Sequence, residues 1–92
     1  MTKTQAAIKN VNATNGTYTV AVDQAPQGRQ IKNIRVAAWS KAHQENLYWY
    51  SATPTGMHTE ITVSANNHGN EAGNYTTHVY VDYKDGGVEG FN

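Results

Sequence analysis

The sequence predicts an all-β fold, an immunoglobulin-like antiparallel β-sandwich of about seven short strands. Residues that favour strands dominate the chain, with 11 Thr, 8 Val, 4 Ile and nine aromatic residues against a single Leu. Apolar and polar residues alternate at 18–23 and at 60–64, which is the pattern of a strand buried on one face. Turn-forming residues separate such runs at short intervals, as in an antiparallel sandwich.

The predicted strands cover most of the chain and no stretch favours a long helix. We assign strands to residues 6–13, 17–23, 31–39, 46–53, 58–65, 74–84 and 88–91. Seven short strands predict two packed sheets. Residues 1–5 are interpreted as a leader or the remnant of an excised segment, and residues 6–92 as a single domain.

Charge and composition exclude several classes of protein. The 92 residues carry seven basic and seven acidic side chains, so the chain lacks the basic excess that nucleic acid or an anionic membrane requires. The run Val36-Ala37-Ala38-Trp39 is far shorter than the roughly 20 apolar residues that cross a bilayer. Cysteine is absent, which excludes a disulfide framework and a thiolate metal site. We expect no nucleic-acid partner and no membrane partner.

A local motif before the sixth strand supports the immunoglobulin-like prediction. The run Glu71-Ala72-Gly73-Asn74-Tyr75 resembles a tyrosine corner, in which the tyrosine opens the sixth strand and its hydroxyl bonds to the chain just upstream. Gly73 and Tyr75 are therefore assigned structural roles. The same fold plan places a tryptophan in the core, and Trp39 and Trp49 compete for that position. We assign Trp49 to the core.

Strand periodicity then predicts which side chains face solvent. If Tyr75 points inward, the period of two sends every second residue of the sixth strand the same way. The inward set is then Thr77, Val79 and Val81, and the outward set is Thr76, His78, Tyr80 and Asp82.

The third and fourth strands are expected to share a sheet with the sixth. On the third strand the inward residues are Ile34, Val36 and Ala38, and the outward ones are Arg35, Ala37 and Trp39. On the fourth strand the inward residues are Leu47 and Trp49, and the outward ones are Tyr48 and Tyr50. The exposed face of this sheet is thus predicted to carry Trp39, Tyr48, Tyr50, His78 and Tyr80.

Outward aromatic rings on a flat sheet suit sugars, because the C–H face of a pyranose stacks on a ring while neighbouring polar groups bond its hydroxyls. Aromatic residues are also favoured in strands for cross-strand packing alone, so both interpretations stay open.

Catalytic and metal-binding patterns are not found. The seven acidic residues fall mostly at strand ends and turns, and no Gly-x-Ser-x-Gly nucleophile motif occurs. The four histidines, His43, His58, His68 and His78, form no His-x-His or His-Glu-x-x-His pair. We predict no enzyme activity, no metal and no cofactor.

The chain resembles the group B streptococcal Bsp-like repeat, a repeat family of streptococcal and related surface proteins. The resemblance rests on Val36-Ala37-Ala38-Trp39-Ser40, Leu47-Tyr48-Trp49-Tyr50-Ser51-Ala52, His68, the run from Gly73 to Tyr80, and Asp85-Gly86. These elements keep their order over roughly residues 8–91. One copy is visible, so the chain is interpreted as one excised unit of a tandem array.

The resemblance implies a secreted, non-catalytic module of the bacterial cell wall, because such repeats occur beside the catalytic domains of peptidoglycan hydrolases. The implied partners are peptidoglycan or a wall glycan, a linked hydrolase domain and sister repeats, and the isolated domain is expected to be a monomer. Residues expected to contact the wall are Trp39, Tyr50, His78 and Tyr80, with Tyr48 and His68 next. The alternatives are a protein-binding adhesin module and a passive spacer.

Overall fold

The computed structural model describes residues 3–92, and it confirms the predicted β-sandwich. The strands are β1 (Gln5–Asn12), β2 (Thr17–Asp23), β3 (Ile31–Trp39), β4 (Tyr48–Ala52), β5 (His58–Ser64), β6 (Thr76–Tyr83) and β7 (Val88–Phe91). Short 3₁₀ turns occupy Ala42–Gln44 and Ala65–His68. Within residues 3–92, no helix has the length and apolar character needed to cross a membrane.

Two antiparallel sheets form the sandwich. The first sheet has the strand order β1-β2-β5 and the second has the order β4-β3-β6-β7. The third, fourth and sixth strands therefore share one sheet, as the sequence predicts. The edges of the two sheets are β1 and β5, and β4 and β7.

The strand bounds follow the prediction closely, with the largest differences at β4 and β6. β4 begins at Tyr48 instead of residue 46, because the Leu47 amide donates to the Gln44 carbonyl and belongs to the preceding turn. β1 begins at Gln5, and Thr4 beside it is buried and bonded to the Tyr83 hydroxyl at 2.7 Å. Positions 1 and 2 of the predicted leader lie outside the described residues.

The core lies between the sheets and is built of small and branched apolar side chains. Its members are Val20, Val22, Ile31, Ile34, Val36, Ala38, Ile61, Val63, Val79, Val81 and Tyr83. The predicted inward residues of β3 and β6 are all buried, which confirms the alternation on both strands. Neither tryptophan belongs to this cluster.

The tyrosine corner is present. The Tyr75 hydroxyl donates to the Glu71 carbonyl at 2.7 Å, directly before β6 begins. Gly73 between them has φ +119°, a backbone conformation that side chains with a Cβ rarely adopt. This bond fixes Tyr75 on the inner side of the sheet, where its ring meets Tyr18 at 6.3 Å.

The outer face of the first sheet carries charged side chains. Lys9 contacts Glu60 at 2.6 Å, and His58 bridges Glu60 at 2.8 Å and Asp23 at 2.5 Å. All four side chains are more than 40% exposed, so the cluster is solvated. This face needs no ligand to explain it.

The tyrosine corner gives the first testable prediction. Tyr75→Phe removes the donor to the Glu71 carbonyl, so the free energy of unfolding should fall by about 1–2 kcal/mol. Urea denaturation followed by circular dichroism measures the loss. Tyr48→Phe is the matched control, because Tyr48 is 44% exposed and its hydroxyl has no hydrogen bond to protein within residues 3–92. Equal stability of the two variants would contradict a role for the corner.

The charged cluster predicts a pH dependence. Hydrogen bonds to Glu60 and Asp23 raise the pKa of His58 above its ordinary 6.5, so its contribution to stability is present below pH 6.5 and is lost as pH rises through the raised pKa. Hydrogen bonds from His58 and Lys9 lower the pKa of Glu60 below 4.5, so its contribution is present above pH 4.5 and is lost as pH falls.

The stability difference between the native chain and His58→Gln should therefore be largest between pH 4.5 and pH 6.5 and should decline as the pH rises through the raised pKa of His58. Thermal melts across that range measure it. Added salt should shrink the difference, because the groups are exposed. A difference that is constant with pH would contradict the assignment.

Candidate functional site

The register of the second sheet places four aromatic side chains on its outer face. Trp49 of β4 lies opposite Ala37 of β3, and Ala37 lies opposite His78 of β6. Val36 and Ala38 belong to the core cluster and Ala37 does not, so by alternation this row points outward, although Ala37 itself is only 3% exposed. Trp39 and Tyr80 have the same parity on β3 and β6. We call Trp39, Trp49, His78 and Tyr80 the aromatic band.

The rings of the aromatic band form a continuous series of contacts. The centroid of Trp39 is 5.1 Å from that of His78, and His78 is 6.4 Å from Tyr80. Tyr80 is in turn 5.9 Å from Trp49. The first two contacts are edge-to-face, whereas Trp49 and Tyr80 are tilted by only 36°. The band therefore reaches across three adjacent strands.

Gly90 and the Arg35–Asp82 ion pair lie next to the Tyr80 ring of the band. Gly90 of β7 pairs with Tyr80, and a Cβ there would lie 3.6 Å from the Tyr80 ring, so that ring extends over the backbone of β7. The Arg35 guanidinium lies 5.3 Å from the centre of the Tyr80 ring and donates two hydrogen bonds to Asp82, at 2.8 and 2.9 Å. These bonds raise the pKa of Arg35, so the pair stays charged and cancels locally.

Trp49 is the main correction to the sequence prediction. Its assignment to the core is wrong, because the side chain is 50% exposed on the outer face. Tyr48 and Tyr50 have the opposite parity, since they pair with the fully buried Ala38 and Val36. The sequence predicts Leu47 as an inward residue of the fourth strand, which would place Trp49 inward as well. Leu47 precedes β4, so its position does not determine which residues of β4 face the core.

His68 is the second correction, because it is 1% exposed and cannot contact a wall polymer. Its Nδ1 lies 2.8 Å from the Asn46 carbonyl, and its Nε2 lies 2.9 Å from the Tyr50 hydroxyl. A carbonyl only accepts hydrogen bonds, so Nδ1 carries a proton, and in the neutral ring Nε2 then accepts from Tyr50. His68 thus joins the turn before β4 to the strand itself.

The predicted wall-contact residues therefore divide into two groups on opposite sides of the sheet. Trp39, His78 and Tyr80 lie in the aromatic band. Tyr50 packs against the core, and Tyr48 meets Tyr50 at 4.9 Å and His68 at 5.9 Å. Tyr75 adds a further edge contact to His68 at 5.2 Å. This second group closes one end of the sandwich and has a structural role.

The turn between β3 and β4 is held by Asn46, which sequence reasoning missed. Its side-chain oxygen accepts from the amides of Ser40 and Lys41, both at 3.0 Å. Its side-chain nitrogen donates to the Ser40 hydroxyl at 2.8 Å and to the His68 carbonyl at 3.2 Å. The turn therefore fixes where β4 starts and hence where Trp49 points.

Arg35 and Asp82 are also part of the site, although the sequence prediction gave them no role. Both are outward by alternation, and the third and sixth strands share a sheet in the predicted fold. An opposite-charge pair on the outer face of one sheet was therefore the signal that could have found them.

The geometry of the outer face offers aromatic and polar groups that can bind a ligand. Both Asp82 oxygens are held by Arg35, and residues 3–92 contain no group of three or more His, Asp or Glu side chains arranged to hold a metal ion. Beside the band lies an open depression of about 310 Å³ lined by Arg35, Trp49, Tyr50 and Ser51. Aromatic surface next to hydroxyl and guanidinium groups is suited to a flat, polar ligand.

The two groups of aromatic residues predict different stability losses. His68→Ala leaves a buried cavity and removes both hydrogen bonds of the ring, so the free energy of unfolding should fall by about 2–4 kcal/mol. His78→Ala on the outer face should cost about 1 kcal/mol or less. Chemical denaturation of both variants checks this, and similar losses would contradict the division into structural and surface groups.

Comparison with known proteins identifies a family. The family model described as the GBS Bsp-like repeat matches residues 7–92, nearly the whole chain. No curated protein and no solved structure matches the chain significantly. The match is to a repeat module found in surface proteins, not to a catalytic family. The chain therefore belongs to the GBS Bsp-like repeat family.

Proposed function

We propose that this chain is a non-catalytic module that binds the bacterial cell wall, with peptidoglycan as its target, through the aromatic band. In the proposed setting it is secreted and holds a linked peptidoglycan hydrolase at the surface. The observation that carries the proposal is the contiguous series of four rings on the outer face of the second sheet, with Trp49 half exposed.

The outer face of a sheet normally carries polar side chains, because it contacts water. The aromatic band on the outer face of the second sheet departs from that pattern. The outer face of the first sheet, in contrast, carries ion pairs between Lys9, Glu60, His58 and Asp23. Clustered apolar surface on a small protein commonly marks an interaction site. The difference between the two faces therefore supports a ligand on the second sheet.

A shallow site of this kind binds weakly on its own. A single module is expected to bind walls with a dissociation constant in about the micromolar to millimolar range. Tandem copies make later contacts intramolecular and raise the apparent affinity by about 10²–10⁴. Retention of a linked enzyme at the wall would then come from avidity.

A protein-binding adhesin is the second candidate, and the free edge of β4 favours it. β4 pairs only with β3, so its other edge can add a strand from a polypeptide. Both Tyr48 and Trp49 on this strand are exposed. Binding to a protein target would survive removal of glycans and would disappear after protease treatment of that target.

Co-sedimentation with purified sacculi, stripped of protein and secondary polymers, tests the proposal. The native chain should pellet with the sacculi, and the double variant Trp49→Ala, Tyr80→Ala should stay in solution while keeping its circular dichroism spectrum. The matched control is Tyr48→Ala, which removes a similarly exposed ring from the same strand but on the other side of the sheet. It should pellet like the native chain.

Two results would overturn the proposal. If the native chain stays in solution at high sacculus concentration, the module does not bind peptidoglycan. If all three chains pellet equally, the band is not the site, and a site elsewhere or a passive spacer with nonspecific adhesion explains the data better.

A further inference from the structure

We infer that the aromatic band binds the uncharged sugar backbone of peptidoglycan, with one N-acetylhexosamine unit stacked on Trp49, and does not bind the stem peptide or an anionic wall polymer. This inference rests on the proposed function and assigns a ligand chemistry to the same site.

The first argument is the availability of a ring face. Trp49 is the one member of the band that is half exposed, whereas Trp39, His78 and Tyr80 are each partly covered by their neighbours. Its ring lies 5.9 Å from that of Tyr80 at a tilt of 36°, so the Tyr80 ring adds aromatic surface directly beside it. The faces of aromatic rings carry partial negative charge, which attracts the positive C–H groups of a pyranose ring.

The second argument is the polar groups beside that surface. Arg35 and Ser51 pair across β3 and β4, and both line the depression of about 310 Å³ next to Trp49. Asp82 takes the Nε and one terminal nitrogen of Arg35, so the other terminal nitrogen keeps its N–H donors. A guanidinium N–H and a serine hydroxyl match the hydroxyls and the acetamido carbonyl of an N-acetylhexosamine.

The third argument is charge. Arg35 and Asp82 are bonded at both carboxylate oxygens, so the charges beside Tyr80 cancel. A polyanionic polymer would need cations that are not already paired. A stem peptide carries carboxylates and an amine that would have to be desolvated against aromatic rings, which is costly without partners. The neutral sugar backbone avoids both costs.

The test is a nuclear magnetic resonance titration of the ¹⁵N-labelled chain with chitotetraose, a tetramer of N-acetylglucosamine. The indole N–H of Trp49 and the backbone amides of β4 and β6 should shift and saturate. Trp49→Ala should weaken binding by about tenfold or more, and Tyr48→Ala should leave it within about twofold. Raising the salt concentration should leave the affinity within about twofold, because no unpaired charge takes part.

Parallel titrations use a free stem pentapeptide and polyglycerol phosphate as probes. Saturable shifts in the band with either probe, or none with chitotetraose, would overturn the inference. If sacculi pellet the chain but chitotetraose does not bind, the inference fails and the proposed function survives. If chitotetraose binds at Trp49 but sacculi do not pellet the chain, the proposed function and the assignment to peptidoglycan fail, and only the preference for N-acetylhexosamine remains.

Discussion

The outer face of the second sheet depends on the pairing of β3 with its two neighbours. Ile34, Val36 and Ala38 are fully buried, and this sets the side on which every other residue of β3 must lie. Antiparallel pairing then transfers the same alternation to β4 and β6. A slip of one residue in the β3–β6 pairing would turn His78 and Tyr80 toward the core and expose Val79 and Val81, and a slip in the β3–β4 pairing would turn Trp49 inward.

The edge strand β4 needs more than backbone pairing to hold its register, because only one of its sides is bonded to the sheet. The hydrogen bonds around His68 provide the additional contacts that hold the register of β4. His68 accepts from the Tyr50 hydroxyl in the middle of β4 and donates to Asn46 before the strand begins. Asn46 also closes the turn onto Ser40. The buried histidine therefore positions Trp49 on the outer face without touching it.

Sequence reasoning predicted the inward side of β6 correctly and that of β4 incorrectly, and the reason is the presence or absence of a local anchor. Tyr75 is tied to Glu71 four residues away, so a short motif fixes the inward side of β6. β4 is fixed by His68 and Asn46, which are 22 residues apart in the chain. Such a contact leaves no pattern in the sequence, and Leu47 gave a misleading one. The burial of His68 was missed for the same reason.

The composition of the core explains why the tryptophans are left outside. Valine, isoleucine, alanine and Tyr83 fill the space between the sheets, so core packing requires neither indole. A half-exposed Trp49 contributes less to burial than an inward one would, and its outward position keeps apolar surface in water. Folding alone gives no reason for that arrangement on one sheet when the other sheet is covered by ion pairs. The proposed ligand would supply the reason, because the apolar surface would then be covered in the bound state.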